Sequence, residues 1–337
     1  MENEYLNGTG LKVSKIALGT STFGDQMDKK NAMDVMDYAV DQGINLFDTG
    51  DVYCDGESER IIGTFIKDNR SKVLVATKAS LPTGLGVNDS GASRYHLIDA
   101  LDKSLKRLKT DYVDIYYIHR PDRNTPVEET LQTMDGMVRS GKVRYIGFSN
   151  YTAWEACELL YTAKLHNLIA PVVAENPYNL ITRGLDDEMT HFLEKYNVGL
   201  MIYNPLAGGL LTGKHTRGHL AENSRFSFGL YQDRYCSERN FDAIEQLSNI
   251  ANSSGMSLLQ LAMRWCLSQK IVNSTILGCS SIAQLKQNIS LSEEGPLSED
   301  ILRECEKVWE MLKSQAYGYF FPWNGRKGQS KSGNLQG

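Results

Sequence analysis

Short apolar runs alternate with longer stretches of helical periodicity along almost the whole chain. Eight of the runs predict strands: Lys15–Leu18, Asn45–Asp48, Lys72–Lys78, Tyr112–His119, Val143–Ser149, Pro171–Glu175, Gly199–Tyr203 and Thr275–Gly278. They are rich in β-branched and aromatic residues and mostly lack an apolar/polar alternation, the pattern of strands covered on both faces. Between them, residues 94–108 set Leu97, Ile98, Leu101, Leu105 and Leu108 at helical spacing. Thr125, Pro126 and Glu128 predict a helix start with an N-cap, a first-position proline and a capping-box glutamate. Thr152 with Glu155 and Ser257 with Gln260 repeat the capping-box spacing, Ser281 caps the helix after strand eight, and Gly141 stands where a helix C-terminal glycine belongs.

Strands alternating with helices over one continuous stretch predict a parallel sheet. The count of eight favours a closed (β/α)8 barrel over an open doubly wound sheet. So does the glycine spacing: Gly19 and Gly24 follow the first strand, but no Gly-x-Gly-x-x-Gly does. The rhythm breaks between Pro205 and Asn240, which reads as a long loop after the seventh strand, on the face where such barrels carry their active sites. Residues 298–314 read as one additional helix. The Gly-, Ser-, Lys- and Gln-rich stretch 325–337 reads as a disordered tail, leaving 1–324 as a single domain.

Composition narrows the function classes. Of 337 residues, 41% are hydrophobic and 23% charged, enough apolar material for one large core. With 36 basic and 41 acidic residues the net charge is −5, which gives no electrostatic reason to expect nucleic acid or an anionic membrane as partner. The six cysteines form no Cys-x-x-Cys pair, so zinc and thioredoxin-like chemistry has no support. Dispersed thiols and an acidic start without a signal-peptide pattern suit a cytoplasmic protein. No apolar run approaches the roughly 18 residues that a membrane span needs.

Polar residues at barrel strand ends are candidates for chemistry. Strand two ends in Asp48 and its turn presents Tyr53; strand three ends in Lys78 and strand four in His119. Each alone has an ordinary structural role open to it: a cap, a loop aromatic, a surface lysine, a core histidine. Together, on successive strand ends, they form a proton-transfer set. A tyrosine is a poor acid, with a pKa of about 10, and a nearby ammonium favours its phenolate and lowers that value. Asp48 would hold Lys78 charged, and His119 would orient a carbonyl or help move the proton.

The blocks FDTGDVYCDGESERIIG (47–63), VLVATK (73–78), SLKRLKTDYVDIYYIHRPD (104–122), GKVRYIGFSN (141–150), IYNPLAGGLLTGK (202–214) and STILGCSSIAQLKQNI (274–289) resemble, in order, the signature blocks of the aldo-keto reductase superfamily. The resemblance runs from about Tyr5 to Ile289. It implies an NADP(H)-dependent oxidoreductase that reduces an aldehyde, ketone or keto-sugar, or runs the reverse, with Asp48, Tyr53, Lys78 and His119 as the tetrad. It further implies that Tyr5–Val13 is a hairpin closing the barrel's bottom. Ser149 and Asn150 match the grip on the nicotinamide carboxamide, and Tyr203 the aromatic beneath the ring. Pro205, Leu206, Gly208 and Leu210 match the pyrophosphate loop, and Lys214 and Arg225 basic residues that reach phosphate in long-loop members. Gly278, Ser280, Gln284 and Asn288 match the adenosine end. Phe23 and Trp323 are candidate pocket walls, and Arg120 is placed to meet a polar or anionic part of a small-molecule substrate, or to pair with Asp122. ENPYNLITRG (175–184) and the long seventh loop resemble members that act on deoxysugars. The β subunits of potassium channels share this fold and bind NADP, so a redox-sensing regulatory subunit is the alternative.

Three positions depart from the family pattern. Glu175 stands where glutamine is usual; ionised, it only accepts hydrogen bonds, whereas protonated it also donates. Ser280 stands where NADP-specific members often carry a basic residue, which leaves Lys214 and Arg225 to supply the charge and NAD(H) as the second candidate. Gly50 and Cys54 replace the common alanine and glycine around Tyr53, a change expected to leave the tetrad in place.

Overall fold

The computed structural model describes residues 1–222, 224–227 and 229–313; Trp323, the aromatic stretch around it and the tail at 325–337 lie outside them. The chain opens with a hairpin, β1 (Asn3–Tyr5) and β2 (Lys12–Ser14), in antiparallel register with Tyr5 opposite Lys12. Eight parallel strands follow: β3 (Ile16–Gly19), β4 (Leu46–Asp48), β5 (Leu74–Ala79), β6 (Val113–Ile118), β7 (Val143–Ser149), β8 (Val173–Pro177), β9 (Gly199–Tyr203) and β10 (Ser274–Gly278). They close into a barrel, with β10 pairing β3. This is the predicted (β/α)8 barrel, and the strand boundaries fall within two residues of the sequence-based ones.

Helices α1 (Lys29–Asp41), α2 (Glu57–Asn69), α3 (Arg94–Leu108), α4 (Val127–Arg139), α5 (Ala153–Leu165) and α6 (Met189–Tyr196) alternate with the strands. After β9 come a short α7 (Gly229–Tyr235), then α8 (Glu238–Ser253) and α9 (Leu258–Ser268); α10 (Ile282–Ser292) and α11 (Glu299–Leu312) follow β10. Among the described residues, no helix is long and apolar enough to cross a membrane. The capping boxes at Thr152 and Ser257 form, and Ser281 accepts from Gln284 N. The one predicted at Thr125 does not. There Pro126 is the cap residue, α4 starts at Val127, and the Thr125 hydroxyl donates to Asp122 instead. The predicted long loop is more ordered than its composition implied. Phe226 and Tyr235 bury their rings, and Arg217 pairs with Glu238 and Asp242 on α8, so helical turns form inside it.

The core has two layers because strand side chains alternate faces. Phe47, Val75, Tyr116, Ile118 and Ala174 point outward against the helices; Leu46, Ala76, Ile115, Tyr117, Val173 and Met201 fill the barrel. The hairpin plugs the end where the strands begin. Leu6 and Val13 join the inner layer, and Asn273, just before β10, donates to Glu4 and to the Tyr5 carbonyl. With that end sealed, the inward residues at the opposite strand ends are left to form a site.

Candidate active site

The inward alternation continues past the apolar layer. One step above Leu46 comes Asp48; above Ala76 comes Lys78; above Tyr117, just past β6, comes His119; above Val173 comes Glu175; above Met201 comes Tyr203. Lys78 is fully buried. Its ammonium donates to Asp48 Oδ1 at 2.5 Å and to the Thr49 carbonyl at 2.9 Å, and Glu175 Oε1 lies 3.3 Å away. The rings of Tyr53 and Tyr117 flank it, with centroids at 5.4 and 5.7 Å. Tyr53 meets His119 edge to face, at a centroid distance of 5.9 Å. All four predicted tetrad residues therefore converge.

Tyr53 is aimed by a strained turn. Its amide donates to the Gly50 carbonyl, and Cys54 and Asp55 then take left-handed φ values of 49° and 53° before Gly56 at 80°. A side chain at Gly56 would also strike Arg107, whose Cδ lies 2.6 Å from where a Cβ would sit. Left-handed non-glycine residues cost energy and persist only where neighbours enforce them. The enforcement comes from α2. Ser58 Oγ bonds the Thr20 carbonyl and the hydroxyls of Thr20 and Thr49. Buried Glu59 accepts from Thr77 and from Arg107 of α3. These supports were not singled out in the sequence, although both lie within the 47–63 block. A Cβ at Gly50 would make ordinary contacts of 3.4–3.6 Å with Tyr53 and His119, so the glycine there is not sterically required.

Burial dominates the electrostatics. It depresses His119, helped by the Lys78 and Arg120 charges, to about 3, so the imidazole is neutral. Asp48 and Glu175 hold Lys78 firmly charged despite burial, which alone would lower its pKa. Tyr53 corrects the sequence-based expectation. Lys78 does pull its pKa down, but burial, with Asp48 and Glu175 behind it, pushes harder the other way, and the net displacement is upward. Tyr53 is thus a neutral phenol that keeps its proton until charge develops nearby. Glu175 is raised to about 8 by burial and by Asp48, against the opposing pull of Lys78. Between two carboxyls and one ammonium, a single proton on the carboxyl pair leaves the cluster neutral.

Asp48, Tyr53, His119, Ser149, Asn150, Glu175 and Tyr203 border a cleft of about 240 Å³, with Arg120 at its rim. Asn150 donates to the His119 carbonyl and to Ser149 Oγ, and accepts from Tyr203 at 2.6 Å. A second, elongated hollow of about 380 Å³ runs on past β9 and β10. Pro205, Leu206, Gly208, Lys214, Arg225, Gly278, Ser280, Gln284 and Asn288 line it, all predicted. Its middle is a cradle: Gly209 has φ 110°, and a Cβ there would come within 3.5 Å of the Lys214 side chain. The N-terminus of α10 closes the far end, a disposition suited to anionic groups. A cleft lined by Asn150 and Tyr203, a basic glycine-lined stretch and a polar end match the kinds of group that a nicotinamide dinucleotide presents, and the two hollows share Asn204, Arg225, Ile276 and Gly278.

Three predicted residues do not line these hollows; Lys78 is one, buried against Asp48 beneath them. Phe23 is fully buried in the outer core layer, because its turn directs it inward beneath the loop. Leu210 is likewise buried, anchoring the cradle from behind. Ser21, Gln26, Gly209, Tyr231 and Arg234 border the hollows without having been predicted. Ser21 sits just past strand one and was findable by the strand-end rule; Arg234 lies on α7, which carried no sequence signal.

The sequence profile described as the Aldo/keto reductase family matches residues 15–310. Among curated proteins, the chain is 36% identical over 328 residues to a probable voltage-gated potassium channel subunit beta of Oryza sativa subsp. japonica, covering 95% of this chain and 100% of the relative. It is 34% identical over 323 residues to a protein of the same description from Arabidopsis thaliana, covering 94% and 98%.

Proposed function

Because this chain belongs to the aldo/keto reductase family, we propose that it is an NADP(H)-dependent carbonyl reductase with Tyr53 as its proton donor. The observation that carries the reading is the buried Asp48–Lys78 pair set behind a neutral Tyr53, beside a neutral His119, at the mouth of a dinucleotide-shaped hollow. When bound, the cofactor supplies hydride to the carbonyl carbon and becomes oxidised. Everything else is work for the chain. Tyr53 and neutral His119 donate hydrogen bonds to the carbonyl oxygen and fix its place. As that oxygen gains negative charge, the Tyr53 proton moves to it, giving the alcohol. Lys78 faces the resulting phenolate and stabilises it in a site with little water to compete. Asp48 keeps Lys78 charged and in position. The reverse reaction uses the same groups, with Tyr53 as base.

Ser149, Asn150 and Glu175 would hold the carboxamide, Tyr203 the ring, Lys214 and Arg225 the phosphates, and Ser280, Gln284 and Asn288 the adenosine end. The two cations favour NADP(H) over NAD(H). The test is turnover of aldehydes, ketones and sugars by the purified chain with each cofactor, followed by nicotinamide absorbance. Tyr53→Phe is expected to lower kcat/KM by about a thousandfold while leaving cofactor binding intact; undiminished turnover would remove Tyr53 from the chemistry.

The likeness to probable potassium channel β subunits of rice and Arabidopsis favours a second reading, a regulatory subunit of a channel, and here the bound cofactor would let it respond to redox state. It predicts cofactor exchange slower than a catalytic cycle allows, together with recovery of a channel protein as a stable partner.

A further inference from the structure

Three guanidiniums border the cleft over Tyr53: Arg120 just past β6, Arg225 from the turn before α7, and Arg234 on α7. Many arginines elsewhere face acids, such as Arg70 with Asp114, Arg107 with Glu59 and Arg183 with Asp186 and Glu306, while Arg94 bonds Gln132, Arg144 lies over the Tyr112 ring and Arg239 donates to backbone carbonyls. Among the described residues, none of these three makes an ion pair, including the Arg120–Asp122 pair that the sequence left open. Residues 223, 228 and 314–337 contain no Asp or Glu, so no acidic side chain of the chain remains to neutralise them.

Arg225 has a role already. It donates to Tyr231 at 2.5 Å and to Ser21 at 3.1 Å, and it borders both the cleft and the elongated hollow, where the cofactor phosphates would run. Arg120 and Arg234 border the cleft alone. Arg234 lies over the rings of Tyr231 and Tyr235, 5.9 Å from each centroid, which holds its planar group at the rim. Arg120 is anchored through its backbone, its amide donating to Ser80 Oγ at 3.0 Å and its carbonyl accepting from it. Both line the same cleft as Tyr53 and His119, and the charge of Arg120 also disfavours protonated His119. A concave rim of unneutralised cations concentrates anions. Among the described residues, the remaining wall offers only Leu230 and Ile276 as aliphatic surface.

We propose that the substrate is a small carbonyl compound bearing an anionic group, a carboxylate or a phosphate, which Arg120 and Arg234 hold while its carbonyl oxygen lies at Tyr53 and His119. This rests on the reductase reading above. Guanidinium suits either anion, because both accept its paired donors.

The test uses the full chain with NADPH and two matched pairs. One pair is an ω-aldehyde carboxylic acid against a neutral aldehyde of equal chain length. The other is glyceraldehyde 3-phosphate against glyceraldehyde. The charged member of at least one pair is expected to show a kcat/KM about 10- to 100-fold higher, chiefly through KM, and the preference is expected to shrink at high salt. The pair with the larger ratio identifies the anion. In Arg234→Gln and in Arg120→Gln, the charged-to-neutral ratio is expected to fall about tenfold, whatever happens to the neutral rate. Equal turnover of charged and neutral partners in both pairs, or a ratio that neither variant moves, overturns this inference and leaves the reductase reading standing. Failure to oxidise NADPH with any carbonyl overturns the reductase reading, and this inference with it.

Discussion

Replacing Glu175 with glutamine isolates the proton on the carboxyl pair beside Lys78. Glu175 is buried, 3.3 Å from the ammonium, and its pKa rises from the ordinary carboxylate value of 4.5 to about 8. The folded chain therefore binds this proton more tightly than the unfolded chain does. Folding takes up a proton between those two pH values, and the contribution to stability falls as pH rises through that window. At about 1.4 kcal/mol for each tenfold change in proton affinity, the loss between pH 5 and 8 comes to about 3 kcal/mol. Glutamine has nearly the same shape and never ionises. Urea denaturation of the two proteins at pH 5, 6.5 and 8 is expected to show near-equal stability at the lowest pH. A growing advantage for Glu175→Gln should follow, reaching about 3 kcal/mol at the highest. Most other titrating groups cancel in the comparison. A difference that stays constant with pH would mean that Glu175 is no proton carrier. A wild type that gains on the variant as pH rises would mean that it is an ionised partner of Lys78, and the neutral cluster would have to be abandoned.

Gly63→Ala should destabilise the chain by about 1–3 kcal/mol in urea denaturation despite alanine's better helix propensity, because its Cβ would sit 2.4 Å from the Arg107 carbonyl oxygen at the α2–α3 contact; a stabilised variant would mean that the two helices can part freely. Lys214→Gln should weaken NADPH binding about tenfold or more and NADH binding much less, measured by fluorescence titration, if Lys214 meets the extra phosphate. Equal losses for both cofactors would assign it to the shared pyrophosphate.

Strand ends made most of the tetrad legible. Asp48, Lys78 and His119 close predicted strands and so share one mouth, with Tyr53 in the turn after the first of them, whereas Glu175 was marked only by the family resemblance. The inward alternation that stacks these residues is visible in the folded barrel and not in strands that are apolar on both faces. Phe23 was misplaced because it lies in a turn, where no alternation says which way a ring points. Arg234 was missed because α7 forms only when the loop folds over Phe226 and Tyr235, a tertiary event without a local pattern. The acidity of Tyr53 was read in the wrong direction because the sequence displays the cation beside it but not the burial around it. The proton on Glu175 stayed open for the same reason: its answer depends on separations between side chains from three different strands.

The seam between β3 and β10 pairs Gly19 with Gly278, and there Thr22 donates to the Cys279 carbonyl across 257 positions of chain. Gly19 borders the tetrad cleft and Gly278 borders both hollows. Parallel contacts so distant in sequence carry a large loop-closure cost and form late. During synthesis, every other wall of the site can assemble before β10 has left the ribosome, yet the dinucleotide groove has only one side until it does. Binding competence should therefore appear abruptly at the end of folding. A circular permutant that joins residue 337 to residue 1 and opens the chain between α4 and β7 would bring the two sides of this seam much closer along the chain and bring that moment forward.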